Sequence, residues 1–413
     1  MKVLVSAIAC NPVQGSESQV GWNAVKLLAH EHEVWVITHI RNKAEIEQAV
    51  REDKVPGNLH FSYHGQALEW HRNRMLARLQ SWNECRCWSN GLLALALDMH
   101  GSVGFDLAHH VTISAWRIPS PLWRLPVPFI WGPVGGAGEF PPSLLSHLSP
   151  ASIVFELLRF MANRWGQQSR ELQNCLRYSF RIVASNSETA AFFKALGADP
   201  QRLRILPPVW FEPETVLKLG SAPSSSKTSG PLHLFGGGNM IGSKGAIFAL
   251  MAARLLKERG IPFHYLLGGT GPETPYLKKK IRQWNLSDCV DYHDNLQGED
   301  YIRALQSSHI YLLPSFRENA GITMMEAMLA RAVPVIVHAS AQGEIVTDTC
   351  GFRIPVAEAS EMAAGLADAI EKLDRDRALL AQMGDASHDR IADTYSRELC
   401  ARELRSLYDE VAK

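Results

Sequence analysis

The sequence predicts an α/β protein with two domains, each built on a doubly wound parallel sheet. Three observations predict it. The chain has 413 residues, and at about 150 residues per domain this length accommodates two or three domains. Short apolar segments alternate with segments of helical periodicity in both halves, which is typical of parallel sheets covered by helices. Between the halves, residues 220–231 (GSAPSSSKTSGP) are rich in Ser, Gly and Pro and predict a flexible loop.

The N-terminal half opens with an almost continuous apolar run from Lys2 to Ala9. A run of this kind is expected for a strand that is buried on both faces. A loop over 10–18, a helix over 19–30 and a second strand over 33–38 (EVWVIT) complete a βαβ unit. Further strands are predicted over 59–63, 106–111, 128–131 and 181–184.

The same alternation restarts after the Ser/Gly/Pro loop. Strands are predicted over 232–235, 264–267, 289–292, 309–313 and 333–337, and helices over 246–258 and 273–284. The end of the chain, 358–412, is almost wholly helical with charged faces. Two Rossmann-like halves therefore share one chain, and we expect ligands in a cleft at the carboxyl ends of the strands.

Composition excludes several classes of protein. Lys plus Arg and Asp plus Glu are 42 each, and this neutrality excludes a general nucleic-acid binder, whose phosphate contacts need a basic excess. The seven cysteines are scattered with no CxxC pair, which favours a reduced, cytoplasmic compartment and argues against a zinc or redox motif. The first apolar run is better explained as a strand than as a signal segment, and no stretch reaches the length of a membrane-spanning helix.

The strongest local motif is Ser315 to Glu326 (SFRENAGITMME), which follows a predicted strand and begins a helix. Gly321, Ile322 and Thr323 would present backbone N–H groups at the helix N-terminus, where a diphosphate binds readily. Glu326 lies more than a turn further on and can accept hydrogen bonds from a ribose diol. Taken alone, two glutamates eight residues apart favour the plainer interpretation of an acidic residue near a helix start and an unrelated helical Glu.

Several motifs together resemble glycosyltransferase family 4, whose members are retaining, nucleotide-sugar-dependent enzymes of GT-B fold. The E-x7-E of Glu318 and Glu326 stands between Pro314-Ser315 and Pro334-Val335. Residues 237–245 (GGNMIGSKG) resemble the family's G-R-L-x-x-x-K-G loop, and 267–273 (LGGTGPE) its strand followed by G-x-G-P. Segments around 15–22 and 32–34 resemble the first βαβ unit of a subset of the family.

The resemblance implies a donor site in the C-terminal half. Lys244, a flexible point charge beside a Gly-rich turn, would contact the diphosphate, although a solvated surface lysine is the plainer alternative. Glu318 would orient the donor sugar and Glu326 the ribose. Asn239 stands where the family has an arginine, so Arg317 could supplement the cation at the diphosphate. The remaining donor-binding residues that we assign are Gly15, Ser16, Asp294, Asn295, Leu296, Gly321, Ile322 and Thr323.

In the N-terminal half, Asp106 to Thr112 (DLAHHVT) resembles the family's D-x-x-H-x-H segment in a shifted register. Neighbouring strand residues point to opposite faces, so one histidine should face the cleft and the other the packed sheet. We favour His110 for the cleft and assign it a catalytic role with Glu318 and Lys244. His109, Gly135 and Gly136 are assigned to the acceptor side, where glycine would allow close backbone approach or merely form a tight turn.

Two segments rich in Arg and Trp or Phe suggest contact with an anionic membrane, over 70–90 and 155–181. A solvated helix with a buried aromatic face is the alternative. The N-terminal half, 1–206, carries an excess of +4 and the C-terminal half an excess of −4. We therefore expect that only the first half contacts the membrane, and that it does so at the inner face.

The sequence thus predicts a retaining glycosyltransferase of GT-B fold. Residues 1–206 would form the acceptor domain and 207–394 the nucleotide-sugar domain, with a final helix over 395–413 packing back on the first. The donor is a nucleotide-diphosphate sugar and the acceptor a glycan or a lipid-linked saccharide. We expect no separate cofactor and no metal, because no DxD pair ends a strand. A catalytically silent relative is the alternative, suggested by Asn239. A dehydrogenase is disfavoured because the first βα turn lacks G-x-G-x-x-G.

Overall fold

A computed structural model gives the fold and describes residues 1–15, 17–66, 74–221 and 230–412. Three sequence assignments fall wholly or partly outside these ranges. They are Ser16, the start of the segment 70–90, and most of the loop 220–231.

The first sheet is parallel, and the predicted first strand, β1 (Lys2–Ala7), lies near its centre. Val3, Leu4 and Val5 have no exposed surface, as expected for a strand covered on both faces. The strand order is β3-β2-β1-β4-β5-β6-β7. The other strands are β2 (Glu33–His39), β3 (Leu59–His64), β4 (Leu107–Thr112), β5 (Phe129–Val134), β6 (Arg181–Ala184) and β7 (Leu203–Ile205).

Six helices lie between residues 17 and 195 in the described part of the chain. They are α1 (Glu17–Leu28), α2 (Lys43–Arg51), α3 (Arg74–Val103), α4 (Pro150–Gln167), α5 (Arg170–Tyr178) and α6 (Ser187–Ala195). The sheet reverses its winding between β1 and β4. Loops that follow these two strands therefore flank a topological switch point, where ligands of doubly wound sheets bind.

The second sheet is also parallel, with the order β10-β9-β8-β11-β12-β13. Its strands are β8 (Leu232–Gly237), β9 (Phe263–Gly268), β10 (Val290–His293), β11 (Ile310–Leu312), β12 (Val333–Val337) and β13 (Phe352–Ile354). Winding reverses between β8 and β11. The two motifs that carry Lys244 and Glu318 follow these two strands directly, so the topology brings them to one edge of the sheet.

Nine helices follow from residue 213 onward within the described ranges. They are α7 (Pro213–Gly220), α8 (Ala246–Glu258), α9 (Thr274–Gln283), α10 (Gly298–Ser307), α11 (Ile322–Leu329), α12 (Ser340–Ile345), α13 (Ala359–Arg375), α14 (Arg377–Thr394) and α15 (Arg397–Ala412). No helix in the described ranges is both long and apolar enough to span a membrane.

The chain forms two compact units whose bounds differ from the predicted domains. The first comprises Met1–Ala137, Ala162–Pro208 and the chain from Ala401 onward. The second comprises Gly138–Met161 and Val209–Cys400. Residues 138–161, which the sequence placed in the first domain, therefore belong to the second unit.

Specific contacts explain why 138–161 packs with the second unit. The backbone N–H of Ser149 donates to the carboxylate of Glu273 at 3.2 Å, and the Ser149 hydroxyl binds the same carboxylate. Phe140 packs edge-on against Phe316 at 4.9 Å between ring centroids. Both partners come from motifs that the sequence singled out, since Glu273 ends the G-x-G-P-E segment and Phe316 lies in the SFREN segment.

The end of α15 packs on the first unit. Tyr408 is buried, stacks on His32 at 5.1 Å between centroids, and bonds His109 through its hydroxyl. Glu410 binds two arginines of neighbouring strands, Arg181 and Arg204. These contacts tie the last helix to β4, β6 and β7.

Candidate functional site

The loop after β8 is held against the loop after β11 by backbone contacts. Gly245 has a φ of +67°, and a Cβ at that position would lie 2.1 Å from the carbonyl oxygen of Pro314, so only glycine allows this approach. The carbonyl of Ser243 accepts hydrogen bonds from the N–H of Phe316 at 2.8 Å and the hydroxyl of Ser315 at 3.2 Å. The side chain of Lys244 is therefore presented from a fixed backbone.

Lys244 and Glu318, assigned independently from two motifs, form an ion pair. Their side chains are largely buried, with 20% and 12% of their surface exposed. The backbone of Glu318 is itself fixed, because its carbonyl accepts a hydrogen bond from the Ser340 hydroxyl at 2.7 Å. The structure thus brings a cation and a carboxylate together at the switch point of the second sheet.

Helix α11 begins beside this pair. Gly321 is its N-cap and adopts the left-handed conformation, with a φ of +69°. The first N–H groups of a helix have no partner within the helix, and the helix dipole is positive at that end. Ile322 and Thr323 supply two of these groups and are partly exposed. The helix end can therefore bind an anion together with Lys244.

Glu326 lies one turn further along α11 and is half-buried. Burial raises the pKa of its carboxyl group, and a hydrogen bond from the Tyr301 hydroxyl lowers the pKa in part. Burial and the adjacent Glu326 together raise the pKa of Tyr301, so this hydroxyl remains a donor. Tyr301, on α10, was not assigned from the sequence, where a lone Tyr in a helix carries no signal.

We expect Tyr301→Phe to weaken the binding of a nucleoside diphosphate about fivefold, corresponding to about 1 kcal/mol for one hydrogen bond. The substitution removes the donor that orients Glu326, while the ring stays in place. Calorimetric titration with nucleoside diphosphates measures the effect, and Tyr276→Phe, a tyrosine on α9, is the matched control. Equal affinities of the Tyr301→Phe variant and the parent protein would show that Glu326 needs no such partner.

Arg317 does not supplement Lys244 as the sequence suggested. Its guanidinium forms a bidentate ion pair with Glu156 of α4, with N–O distances of 2.9 and 3.0 Å, and also donates to the Ser243 hydroxyl at 2.9 Å. Both charged side chains are nearly fully buried. A buried pair of this geometry holds its arginine firmly, so Arg317 links the Ser243 side chain to α4 and is not a second phosphate ligand. Glu156 was missed because its partner lies 161 residues away.

Four further assigned donor residues follow strands β8 and β10 of the second sheet. Asn239 is exposed in the loop after β8. Asp294 and Asn295 are exposed after β10, and Asp294 pairs with Lys278 at 2.6 Å. Leu296 is partly buried and packs near Gly268 at the end of β9. In the sheet, β10 lies two strands from β8, so the loop over 294–296 and the loop of Lys244 follow strands that are about 10 Å apart.

In the first unit, neither assigned histidine is open to solvent. His109 and His110 are 2% and 1% exposed. His109 bonds the Gly132 carbonyl at 2.7 Å and the Tyr408 hydroxyl at 2.8 Å, while His110 bonds the Ser6 hydroxyl at 3.0 Å. Both rings therefore have hydrogen-bond partners within the first unit. His110 as described is therefore a packed side chain, unlike the open position expected, and its catalytic role stays a prediction.

Residues assigned from glycine-rich segments of the first unit differ in exposure. Gly15 is exposed in the loop after β1 and has no neighbour within 4 Å of an added Cβ. Gly135 is buried, with its N–H donating to the Ser114 carbonyl at 2.7 Å. The carbonyl of Gly136 accepts from the Trp116 indole at 3.1 Å. These two backbones serve the packing of their own unit, and an acceptor role for them stays a prediction.

Residues 226–389 match the family model for glycosyl transferases group 1. This match agrees with the resemblance that the motifs of this segment carry. Among curated proteins, the chain is 29% identical over 185 residues to WcaL of Escherichia coli K12, described as a colanic acid biosynthesis glycosyltransferase. It is 28% identical over 176 residues to alpha-D-kanosaminyltransferase of Streptomyces kanamyceticus, and 27% over 190 residues to the amylovoran biosynthesis glycosyltransferase AmsK of Erwinia amylovora.

These alignments cover 42–44% of the chain and 44–46% of each relative. The chain thus matches less than half the length of these relatives. Solved structures are similar over nearly the whole chain. Sucrose-phosphate synthase of Thermosynechococcus elongatus is 14% identical with a TM-score of 0.68, over 99% of this chain and 98% of that one. HepE of Anabaena, solved with UDP and glucose, is 13% identical with a TM-score of 0.61, over 99% of both. At such identities the likeness shows the fold, and it confirms the predicted GT-B class.

Proposed function

We propose that this chain, whose residues 226–389 match the family model for glycosyl transferases group 1, is a retaining glycosyltransferase of family 4. It transfers a sugar from a nucleotide-diphosphate sugar to a hydroxyl of a glycan or a lipid-linked saccharide, in polysaccharide or glycoconjugate biosynthesis. The relatives named for colanic acid and amylovoran biosynthesis support the pathway class. The complex of HepE with UDP supports a nucleoside diphosphate as the part of the donor that the second unit binds.

One observation carries the proposal. The Lys244 ammonium and the Glu318 carboxylate meet beside the N-terminus of α11, at the switch point of the second sheet. A diphosphate needs a cation and free N–H groups, and a sugar hydroxyl needs a carboxylate. All three lie at one edge, and Glu326 is within the next turn of helix.

The reaction follows from these groups. The acceptor hydroxyl oxygen attacks the anomeric carbon, and the bond from that carbon to the diphosphate oxygen breaks with its electron pair going to the diphosphate. The proton of the acceptor hydroxyl passes to the departing phosphate oxygen, so no protein base is required. Lys244 and the N–H groups at Ile322 and Thr323 stabilise the charge that develops on the diphosphate. This charge compensation makes a divalent metal unnecessary.

The remaining residues serve to position the donor. Glu318 accepts a hydrogen bond from the donor sugar once the diphosphate takes over Lys244. Glu326, ordered by Tyr301, binds the ribose diol, and the loop over 294–296 contacts the base. Asn239 adds a neutral donor at the diphosphate. The sequence also assigns Gly15 and Ser16 to the diphosphate and His110 to a sugar hydroxyl or the acceptor, and these assignments stay predictions.

A ligand screen followed by product detection tests the proposal. Thermal unfolding is measured with uridine, guanosine and adenosine diphosphates and with their sugars, because a ligand that binds only the folded state raises the melting temperature. The stabilising donor is then incubated with lipid-linked saccharides, with and without EDTA. We expect a product whose new linkage keeps the anomeric configuration of the donor. The rate of transfer should be the same with and without EDTA. No stabilisation by any of these ligands would contradict the proposal.

A catalytically silent protein that binds a nucleotide sugar or a glycan is the second candidate. The observation favouring it is Asn239, an exposed neutral side chain where the family has an arginine. The two candidates differ in turnover. Stabilisation by a donor without transfer to any acceptor and without slow hydrolysis of the donor would favour the silent protein. Restored or increased transfer in Asn239→Arg would assign the asparagine to a weakened diphosphate site in an active enzyme.

A further inference from the structure

Helix α4 carries an unusual surface. Five of its large apolar side chains, namely Val154, Leu157, Leu158, Met161 and Trp165, are 48–79% exposed. They recur at i, i+3, i+4, i+7 and i+11, so they form one stripe about 100° wide along the helix. Single exposed apolar residues are ordinary, but a contiguous stripe of this size marks an interaction surface.

The opposite face of α4 is anchored. Glu156 and Ser152 are buried, and Glu156 is neutralised by the bidentate pair with Arg317. The hydroxyl of Ser149, just before the helix, is bound to Glu273. The helix is therefore fixed through its polar face, and the apolar stripe is the face directed to solvent. This arrangement is the reverse of the usual amphipathic helix, whose apolar side is the buried one.

Charge indicates the kind of partner. Glu156 is the only acid in α4, and it is buried and paired. Arg164 is exposed and borders the stripe one residue before Trp165. An aliphatic stripe ending in tryptophan and edged by arginine matches the interface of an anionic bilayer, where apolar side chains enter the acyl boundary and cations contact headgroups.

We infer that the exposed apolar stripe of α4 docks on an anionic phospholipid surface. The membrane contact that the sequence suggested for residues 155–181 is thereby limited to one face of α4. The other predicted segment, 70–90, does not contribute through Trp88, which is 2% exposed and packs in the core of the first unit. The inference does not depend on the transferase reaction, since it uses no residue of the proposed donor site as a lipid contact.

Vesicle sedimentation of the full chain tests the inference. The protein is mixed with vesicles of phosphatidylcholine alone or with phosphatidylglycerol added, and the bound fraction is measured. We expect binding to the anionic vesicles, weakened at high salt, and at least a tenfold lower partition coefficient for the double variant Leu157→Glu, Met161→Glu. The matched control is Leu217→Glu, a leucine of α7 that is 74% exposed, which should bind vesicles like the parent protein.

Folding and oligomeric state are measured for each variant. Because the substituted side chains are exposed, we expect unchanged circular dichroism, melting temperature and stabilisation by the nucleoside diphosphate. Failure of the parent protein to bind anionic vesicles would overturn the inference, as would equal binding by the double variant. A parent protein that light scattering shows to be a dimer, with a monomeric double variant, would assign the stripe to a second copy of the chain and likewise overturn it.

Discussion

Lys244→Ala is expected to lower kcat/KM for sugar transfer by about a hundredfold or more, the usual effect of removing one group that stabilises developing negative charge. Two consequences of the substitution act together. The departing diphosphate loses its cation, and Glu318 loses its ion-pair partner, so an uncompensated carboxylate stands beside the anionic donor. Transfer kinetics with the donor found by the ligand screen measure the effect.

The control for this substitution is another lysine in an ion pair of the same unit. Lys257 pairs with Asp288 at 2.6 Å on the surface, and Lys257→Ala should transfer like the parent protein. Unchanged transfer in Lys244→Ala would contradict the assignment of the cation. A decrease of the same size in both variants would point to an effect on stability instead, which the melting temperatures would show.

Glu318→Gln separates binding from transfer at the same site. The amide removes a negative charge near the diphosphate, so the affinity for a free nucleoside diphosphate should be kept or increased. Transfer should fall, because an amide accepts a weaker hydrogen bond from the donor sugar than the charged carboxylate does. A merely structural role of Glu318 predicts the opposite pattern, with lower stability and weaker nucleotide binding together.

The sequence predicted the strands that carry most of the fold, because a doubly covered parallel strand is a continuous apolar run. The run VPVIV of β12 and the βαβ opening around β1 are examples. It did not predict β7 and β13, whose sequences LRI and FRI are three residues long and have an arginine in the middle. Too few residues alternate or cluster there to give a pattern.

Motifs located Lys244 and Glu318, but only topology shows why they meet. Their residues are 74 apart in the chain, and they become neighbours because β8 and β11 are adjacent in the sheet. For the same reason the sequence did not place residues 138–161 in the second unit. The contact of Ser149 with Glu273 joins residues that are far apart in the sequence, so no local pattern indicates it. For His109 and His110, strand alternation predicts opposite directions. It could not show that α15, through Tyr408, covers the face of His109.

The buried histidines lead to an expected loss of stability in mild acid. Burial lowers the pKa of His109 to about 4 and that of His110 to about 4, whereas in the unfolded chain both have the ordinary value near 6.5. For His109 the neutral form is well defined: the Gly132 carbonyl only accepts, so Nε2 carries the proton and Nδ1 accepts from the Tyr408 hydroxyl.

The sign follows from proton binding. Between about pH 6.5 and about pH 4 the unfolded chain binds protons that the folded chain does not, so the free energy of unfolding falls as the pH falls. From about pH 7 to about pH 5, each histidine should lower it by about 2 kcal/mol. The two neutral histidines contribute their full stabilisation above the pKa that they have in the unfolded chain. This contribution is lost completely only near the pKa that they have in the folded chain.

Urea unfolding at a series of pH values measures this dependence, followed in the first unit. His109→Gln and His110→Asn remove one titrating ring each and keep part of the hydrogen bonding, so each should reduce the slope of unfolding free energy against pH in this range. The exposed His30 provides a comparison variant, His30→Gln, for the replacement of a histidine at the surface. Equal slopes in all four proteins would mean that His109 and His110 are protonated as readily in the folded chain as in the unfolded one, and that the strand is open to water at these positions.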